Sequence, residues 1–331
     1  MYLCIGFAVE VAVVLLLMRN SIVSIIIPCF NQSQYLTECL KSVVAQTARD
    51  WEAIVVDDAS RDGDAIQTIV AGLQDSRIRL VRHEQNGGLA AARNTGVRHS
   101  SAETIAPLDA DDKLAPTYLE VAFENLRHES VGFIYFDIQC FGGASDLWCS
   151  MPFDPAVLIK DREFIQGTAP LKRVVWEQSG GWCEEAIFKK TDEDVDFWLS
   201  AVERGFIGKY VAQPLYHYRR HSAAMSSQAR TYVLPIYRRL YERHRNLILR
   251  YSSYSEWMAR GWLEVAKGHL HLKQPHRAFA CGMWVYVTSR YRRPQAFQVM
   301  RSSLLMARYK IAKPIKSALS AAKRQRGNNA V

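Results

Sequence analysis

Ile22–Pro28 is a run of β-branched residues closed by proline, the pattern of a strand buried on both faces. Tyr35–Gln46 then sets Leu36, Cys39, Leu40, Val43 and Val44 at helical spacing. Trp51–Val56 predicts a second strand that stops at Asp57-Asp58, Ala65–Gln74 a second helix, Ile78–Arg82 a third strand and Gly88–His99 a third helix. Thr104–Leu108 reads as a fourth strand ending in Asp109, with a helix from Pro116. Such alternation predicts an α/β fold: a mostly parallel, twisted sheet flanked by helices. Ligands of these sheets sit at the carboxyl ends of the strands. Three of the strands finish there in polar residues: Asn31, Asp57-Asp58 and Asp109.

After residue 130 the pattern changes. Val131–Phe141 predicts a strand, 142–165 a loop-rich stretch, Asp194–Arg204 a helix and Leu215–Tyr218 a short strand. From about 230 the chain is helical, basic and aromatic. Trp257–Leu272 and His276–Tyr286 form a hairpin broken at Gln274-Pro275; Phe297–Ala312 is an amphipathic basic helix, and 323–331 a frayed tail. The expected organisation is an apolar segment over 1–19, an α/β domain over 20–229 and a basic helical extension over 230–331. Residues 2–18 are apolar but for Glu10, which leaves two readings: a weak N-terminal membrane anchor, or a chain whose true start is Met18.

Composition narrows the class. Of 331 residues, 49% are hydrophobic and 23% charged, which excludes a disordered chain, a collagen-like fibre and a polytopic membrane protein. Seven cysteines without a C-x-x-C argue against a zinc ribbon and a disulfide scaffold, and for a reducing compartment. The net charge of +9 is unevenly spread: residues 1–229 carry 21 Lys and Arg against 30 Asp and Glu, and residues 230–331 carry 21 against 3.

Leu108-Asp109-Ala110-Asp111-Asp112 is the sharpest chemical feature. An isolated D-x-D is a solvated turn or a helix cap. Behind an apolar strand, its carboxylates share one sheet edge and repel, and a divalent cation relieves that repulsion. Mg²⁺ and Mn²⁺ take such oxygen ligands together with phosphate oxygens. Asp57-Asp58-Ala59-Ser60 is an Asx-turn that could also accept from a uracil imide or ribose hydroxyls. Arg93, in NGGLAAARNTG, is either a surface cation or a pyrophosphate contact.

Taken in order, PCFN (Pro28–Asn31), VVDDAS (Val55–Ser60), NGGLAAARNTG (Asn86–Gly96), LDADD (Leu108–Asp112), GGW (Gly180–Trp182), DEDVDFW (Asp192–Trp198) and the Tyr218-Arg219-Arg220-His221 segment with a following serine resemble the family 2 glycosyltransferases, inverting enzymes of the GT-A fold found in bacterial cell-surface polysaccharide assembly. The resemblance covers about residues 20–230. It implies a Rossmann-like nucleotide-binding half and transfer of one sugar from a nucleotide-diphosphate donor, with a lean toward uridine, to an acceptor hydroxyl in polysaccharide, lipopolysaccharide or glycolipid assembly. Donor contacts fall on Pro28, Asn31, Asp58, Arg93, Asp109, Asp111, Arg219 and Ser226. Metal contacts fall on Asp111, Asp112 and His221, holding Mn²⁺ or Mg²⁺. Asp194 matches the general base, and Glu193 and Trp182 the acceptor side, where Trp182 would stack on a sugar.

Inversion needs a carboxylate on the face opposite the leaving group, and the departing diphosphate needs positive charge. Asp194 opens a helix, whose N-terminus is expected to lower its pKa and keep it ionised. Processive synthases of this superfamily carry Q-x-x-R-W; Gln178–Trp182 lacks the arginine, which favours single-sugar transfer. Two other readings remain: a sugar-nucleotide pyrophosphorylase, which would want a glycine-rich loop after the first strand, and a non-catalytic scaffold that binds nucleotide sugars at the membrane. The cations and aromatics of 230–331 suit an anionic membrane surface better than nucleic acid, so the expected location is cytoplasmic, peripheral at the inner face of the membrane.

Overall fold

The computed structural model describes residues 23–160, 165–189, 191–221 and 230–307. The segment 1–19, Ser226 and the tail 323–331 lie outside them. The chain divides into two compact units: Met1–Leu158 with Arg162–Met225, and Ile159–Asp161 with Ser226–Val331.

The first unit is a mixed α/β structure around a nine-stranded sheet. β1 (Val23–Cys29), β2 (Trp51–Asp57), β3 (Ile78–Arg82) and β4 (Thr104–Pro107) run parallel, in the order β3-β2-β1-β4. The helices α1 (Ser33–Val44), α2 (Gly63–Gly72) and α3 (Leu89–Arg98) make the crossovers. Every residue of β1 is buried, which is why its sequence shows no polar alternation. α3 approaches closely because Gly96 faces Ile26; a Cβ there would lie 2.3 Å from the Ile26 methyl.

Beyond β4 the sheet changes direction. The order continues β8 (Leu171–Lys172), β6 (Phe133–Gly142), β9 (Gly208–Arg220) and β5 (Lys113–Leu114), with β7 (Leu147–Trp148) on β6. β6 and β9 are parallel, and the antiparallel pairings are short. The expected strand at Leu215–Tyr218 is the end of the thirteen-residue β9, whose register against β6 shifts between Phe136 and Ile138. The stretch 142–165 is not all loop: it holds β7 and α5 (Pro155–Lys160). α4 (Tyr118–Leu126), α6 (Arg173–Ser179) and α7 (Glu193–Glu203) complete the unit.

The second unit is helical, with α8 (Leu234–Arg243), α9 (Arg245–Tyr251), α10 (Tyr254–His271), α11 (Pro275–Thr288) and a further helix, α12, over 293–307. Its core is made of small side chains, Ala259, Ala266, Ala278 and Ala296 among them, with Leu263, Val285 and Val299. Ser253 caps α10 by accepting from the Glu256 N–H at 3.2 Å.

Candidate active site

The ends of β1, β2 and β4, the end of β9 and the start of α7 carry the acidic and basic residues singled out above. Three non-glycine residues there adopt left-handed backbone: Asn31 (φ 54°), Ala59 (φ 59°) and Asp192 (φ 65°). Such conformations cost energy and concentrate where a chain must aim a side chain. Asn31 is locked to the β2 end: its N–H donates to Ser60 Oγ at 2.9 Å, and its Oδ1 accepts from the Arg61 N–H. Pro28 is buried in β1 opposite Val56, so it presents no surface.

Asp58 is a brace. Its Oδ1 accepts from the Gly87 N–H at 2.8 Å and lies 2.7 Å from His83 Nδ1, while Oδ2 accepts from the Gly88 N–H at 2.8 Å. The glycine pair that opens α3 is thereby pinned to the end of β2. Asp58 is 3% exposed, and both its oxygens are engaged in this brace.

Arg93 and Asn94 point from α3 into the interior. Arg93 is 2% exposed and bridges Asp109 (3.0 Å) and Glu193 (2.9 Å). Burial opposes its charge, but Asp109, Glu193 and Asp194 more than offset that and raise its pKa. Arg93 is thus committed to carboxylates of two distant segments and is not poised as a pyrophosphate contact. Glu193, equally buried, faces Arg93 rather than an acceptor. Asn94 accepts from Trp176 Nε1 and the Trp182 N–H, and donates to the Trp182 carbonyl.

The second correction concerns Trp182. Its ring is 1% exposed and stacked on Phe197 with centroids 4.7 Å apart, so it has no face for a sugar. The Gly180-Gly181 turn before it is required by positive φ at both residues, and at Gly181 a Cβ would also lie 2.7 Å from Asn94 Oδ1. The GGW motif is a packing element here.

The acidic cluster splits into three roles. Asp109 is partly exposed and pairs with Arg93. Asp111 Oδ2 lies 2.9 Å from His221 Nε2. Asp112 is 1% exposed, and its oxygens accept from the Tyr216 hydroxyl and the Arg219 N–H, each at 2.7 Å. Asp112 therefore fixes β9 against the β4 end and is not presented as a metal ligand. Burial, then the neighbouring carboxylates, hold Asp112 well above the usual range; burial and Asp109 also raise Asp111.

Arg219 is likewise engaged. Its guanidinium donates to the Asp111 carbonyl and to Glu38, and lies over Phe141 (4.4 Å) and Tyr35 (4.8 Å). Tyr35 also packs against His221, with ring centroids 5.1 Å apart. Tyr35 and Glu38 were not read from the sequence as site residues; their spacing of three on α1 puts them on one helical face, a signal that says nothing of the partner 181 residues away.

Asp194 stands in the first turn of α7, partly buried, its Oδ1 accepting from the Val195 N–H. Its pKa is pushed up to about 7, first by burial and then by Glu193 and Asp192, with Arg93 pulling the other way. The expectation of a lowered value fails because desolvation and two like charges outweigh the helix N-terminus. Gly167 lies against it: a Cβ there would be 2.9 Å from Asp194 Oδ2.

The Asp111–His221 pair fits a divalent cation. Asp111 Oδ2 and His221 Nε2 are hydrogen-bonded to each other at 2.9 Å, and two cis ligands about 2.1 Å from an octahedral ion would stand about 3 Å apart, so a cation would take the place of the shared proton. Among the described residues no three His, Cys, Asp or Glu side chains gather in metal-binding geometry, so further ligands would come from substrate oxygens and water.

Comparison with known proteins fits this geometry. The "Glycosyl transferase family 2" model matches residues 24–171. EpsE of Bacillus subtilis, provisionally named a glycosyltransferase, is 33% identical over 239 residues, 70% of this chain and 85% of its own. The chain belongs to glycosyltransferase family 2. Further relatives of this transferase carry names in colanic acid, teichuronic acid and O-antigen biosynthesis. Its fold is that of TarS from S. aureus in complex with UDP-GlcNAc (TM-score 0.59, 16% identity, 87% of this chain and 92% of that one). It also matches the mannosyltransferase PcManGT of Pyrobaculum calidifontis in complex with GDP-Man and Mn²⁺ (TM-score 0.56, 18% identity, 87% and 86%).

Proposed function

We propose that this glycosyltransferase moves one sugar from a nucleotide-diphosphate donor to an acceptor hydroxyl in polysaccharide or glycolipid assembly, with inversion at the anomeric carbon. The observation that carries the reading is the division of the carboxylates. Asp111 is paired with a histidine in the spacing of two cis metal ligands, and Asp194 stands apart on α7 with a pKa near neutrality.

Asp111 and His221 would hold Mn²⁺ or Mg²⁺. The ion would supply positive charge to the departing diphosphate, whose leaving-group charge needs no proton. Asp109 borders the same edge and remains open to donor hydroxyls. Asn31, exposed at the end of β1, is the residue placed to meet the base or ribose, and Asp58 holds the neighbouring glycine turn. Uridine remains the preferred base; neighbouring structures with UDP-GlcNAc and GDP-Man support the nucleotide-sugar class without choosing within it.

Asp194 takes the proton from the acceptor hydroxyl at its carboxylate oxygen. A pKa of about 7 makes it a stronger base than an exposed aspartate while leaving a large ionised fraction at neutral pH. Arg93 does not touch substrate in this reading. It ties Asp109 at the donor edge to Glu193 beside the base, so the two halves of the site share one buried cation. Gly167 packs directly against Asp194 and leaves no room for a side chain beside that carboxylate.

The pyrophosphorylase alternative has little support: β1 is followed by Phe30-Asn31-Gln32, pinned to the β2 end, with no glycine-rich loop. Incubating the protein with UDP-sugars and GDP-sugars, with and without Mn²⁺, and assigning the anomeric configuration of the product by NMR tests the proposal. Metal-dependent release of nucleoside diphosphate with an inverted product is expected; formation of nucleoside triphosphate from pyrophosphate, or retention, would overturn it.

A further inference from the structure

In the second unit the usual distribution of side chains is inverted. Alanines and Gly282 fill the contacts between α10, α11 and α12, while large apolar groups stand in water. Met283, Trp284 and Val287 on α11 are 38–69% exposed, and Phe297, Leu304 and Leu305 on α12 are 57–59% exposed. On α12 the spacing 297, 301, 304, 305 sets Phe297, Arg301 and both leucines along one helical stripe. Arg277, Arg290 and Arg293 are exposed on the same two helices and the turn joining them. Past Glu264 the chain has no Asp or Glu, yet fourteen Lys and Arg. Among the described residues no helix is long and apolar enough to cross a membrane.

We propose that the outward faces of α11 and α12 dock in the plane of an anionic lipid bilayer, with Trp284, Phe297 and the aliphatic residues in the acyl boundary and the arginines at the lipid phosphates. Bulky apolar residues beside cations in excess are the features that bind such interfaces; the one carboxylate at the turn between α11 and α12 among the described residues, Glu256, is taken up by the Ser289 hydroxyl and the Arg290 N–H. The charge separates this occupant from the others. A second copy would bring two strongly basic surfaces together, and a protein face of neutral character would leave the arginines without counter-charge. Met283, Val287, Leu304 and Leu305 gain from hydrocarbon, whereas nucleic acid would engage only the exposed rings of Trp284, Tyr286, Tyr291 and Phe297 and leave those aliphatic groups in water. The inference goes beyond the transferase reading and is separable from it, since none of the described active-site residues lies in this unit.

The test is co-sedimentation of the full chain with vesicles of phosphatidylcholine alone and vesicles in which one third of the lipid is phosphatidylglycerol. Binding to the anionic vesicles should exceed binding to the neutral ones by at least about tenfold and fall as salt is raised. The variant Phe297→Ser/Leu304→Ser/Leu305→Ser and the variant Arg277→Gln/Arg290→Gln/Arg301→Gln should each lose at least about tenfold in partition, with unchanged circular dichroism and nucleotide binding. Brominated lipid should quench wild-type fluorescence more than that of Trp284→Phe, a reading that needs no disruptive substitution. Equal binding to both vesicles, no binding, undiminished binding by the serine variant, or quenching unaffected by Trp284→Phe overturns the proposal. A dimer dispersed by the serine variant would assign the face to a second copy. RNA binding lost only in the glutamine variant would assign it to nucleic acid. Loss of nucleotide binding in wild type would count against the transferase reading and leave the vesicle result standing.

Discussion

The two units of this chain solve the problem of large side chains in opposite ways. In the first, Trp182, Trp198, Phe133 and Tyr135 are fully buried, and the charged residues that accompany them inside are paired across long sequence separations: Arg93 with Glu193, Asp112 with Tyr216. In the second, alanine and glycine make the helix contacts while Trp284 and Phe297 face outward. Tyr237 and Trp257 are buried there as well, with Trp257 Nε1 donating to the Tyr237 carbonyl at 2.7 Å. The difference teaches that aromatic residues next to basic or glycine-rich sequence cannot be assigned to a surface or a core by composition. The partner across the fold decides.

The contrast is broken most severely at Asp194. Asp194→Asn keeps the shape and removes the base, so turnover should fall by about 10²–10⁴-fold, while nucleotide affinity, measured by titration calorimetry, stays within about twofold. Equal turnover would remove Asp194 from its role. Next, Arg93→Leu leaves Glu193 and Asp109 without their cation. Breaking a buried pair costs about 3–5 kcal/mol, and urea denaturation should show a loss of that order.

Two tryptophans sharpen the comparison directly. Trp182→Ala empties a buried site and should cost about 3–5 kcal/mol in the same urea experiment. Trp284→Ala, at a side chain 38% exposed that packs against Trp262 with centroids 5.3 Å apart, should cost about 1 kcal/mol. Similar losses for both would show that the second unit hides its aromatics after all.

The smallest effect is in pH. The folded Asp194 has its pKa raised to about 7 against an unfolded value of about 3.9, so the folded state holds the extra proton between those limits. That contribution to stability is present at low pH within the window and is lost as pH rises through about 7, the reverse of the usual aspartate. Turnover follows the opposite course, since only the ionised form accepts a proton: kcat/KM should rise to a plateau with an apparent pKa near 7. A profile flat from pH 5 to 8 would contradict it.

Much of the first unit was legible in the sequence. β1 and β2 are mostly apolar, interrupted early by Ser24 and Glu52, because both faces are covered, and the three polar strand ends mark one edge. The start of β9 was not legible, because Gly208–Pro214 mixes glycine, lysine and glutamine with apolar residues and ends in proline; Gly208–Val211 pair in register with Phe133–Phe136, and the register shift follows. Of the acidic cluster, the sequence told the place but not the division of labour. Asp112 turns inward because Tyr216 and the Arg219 N–H wait for it about one hundred residues later, and nothing within Leu108–Asp112 records that. Arg93 was misread for the same reason. Its helix was evident, but Glu193 and Asp109, which claim its guanidinium, come from separate segments. The pKa of Asp194 failed on burial, which a helix-start pattern does not report.

The central claim is that Asp111 and His221 form a cation site completed by the donor diphosphate. Titration of UDP and of GDP into the wild type and Asp111→Asn, each with and without Mn²⁺, tests it most directly. The account predicts that Mn²⁺ tightens binding of the preferred nucleotide by at least about tenfold in the wild type, and that Asp111→Asn abolishes this gain while sparing metal-free binding. Nucleotide affinity indifferent to Mn²⁺, or a gain that survives in Asp111→Asn, would contradict it.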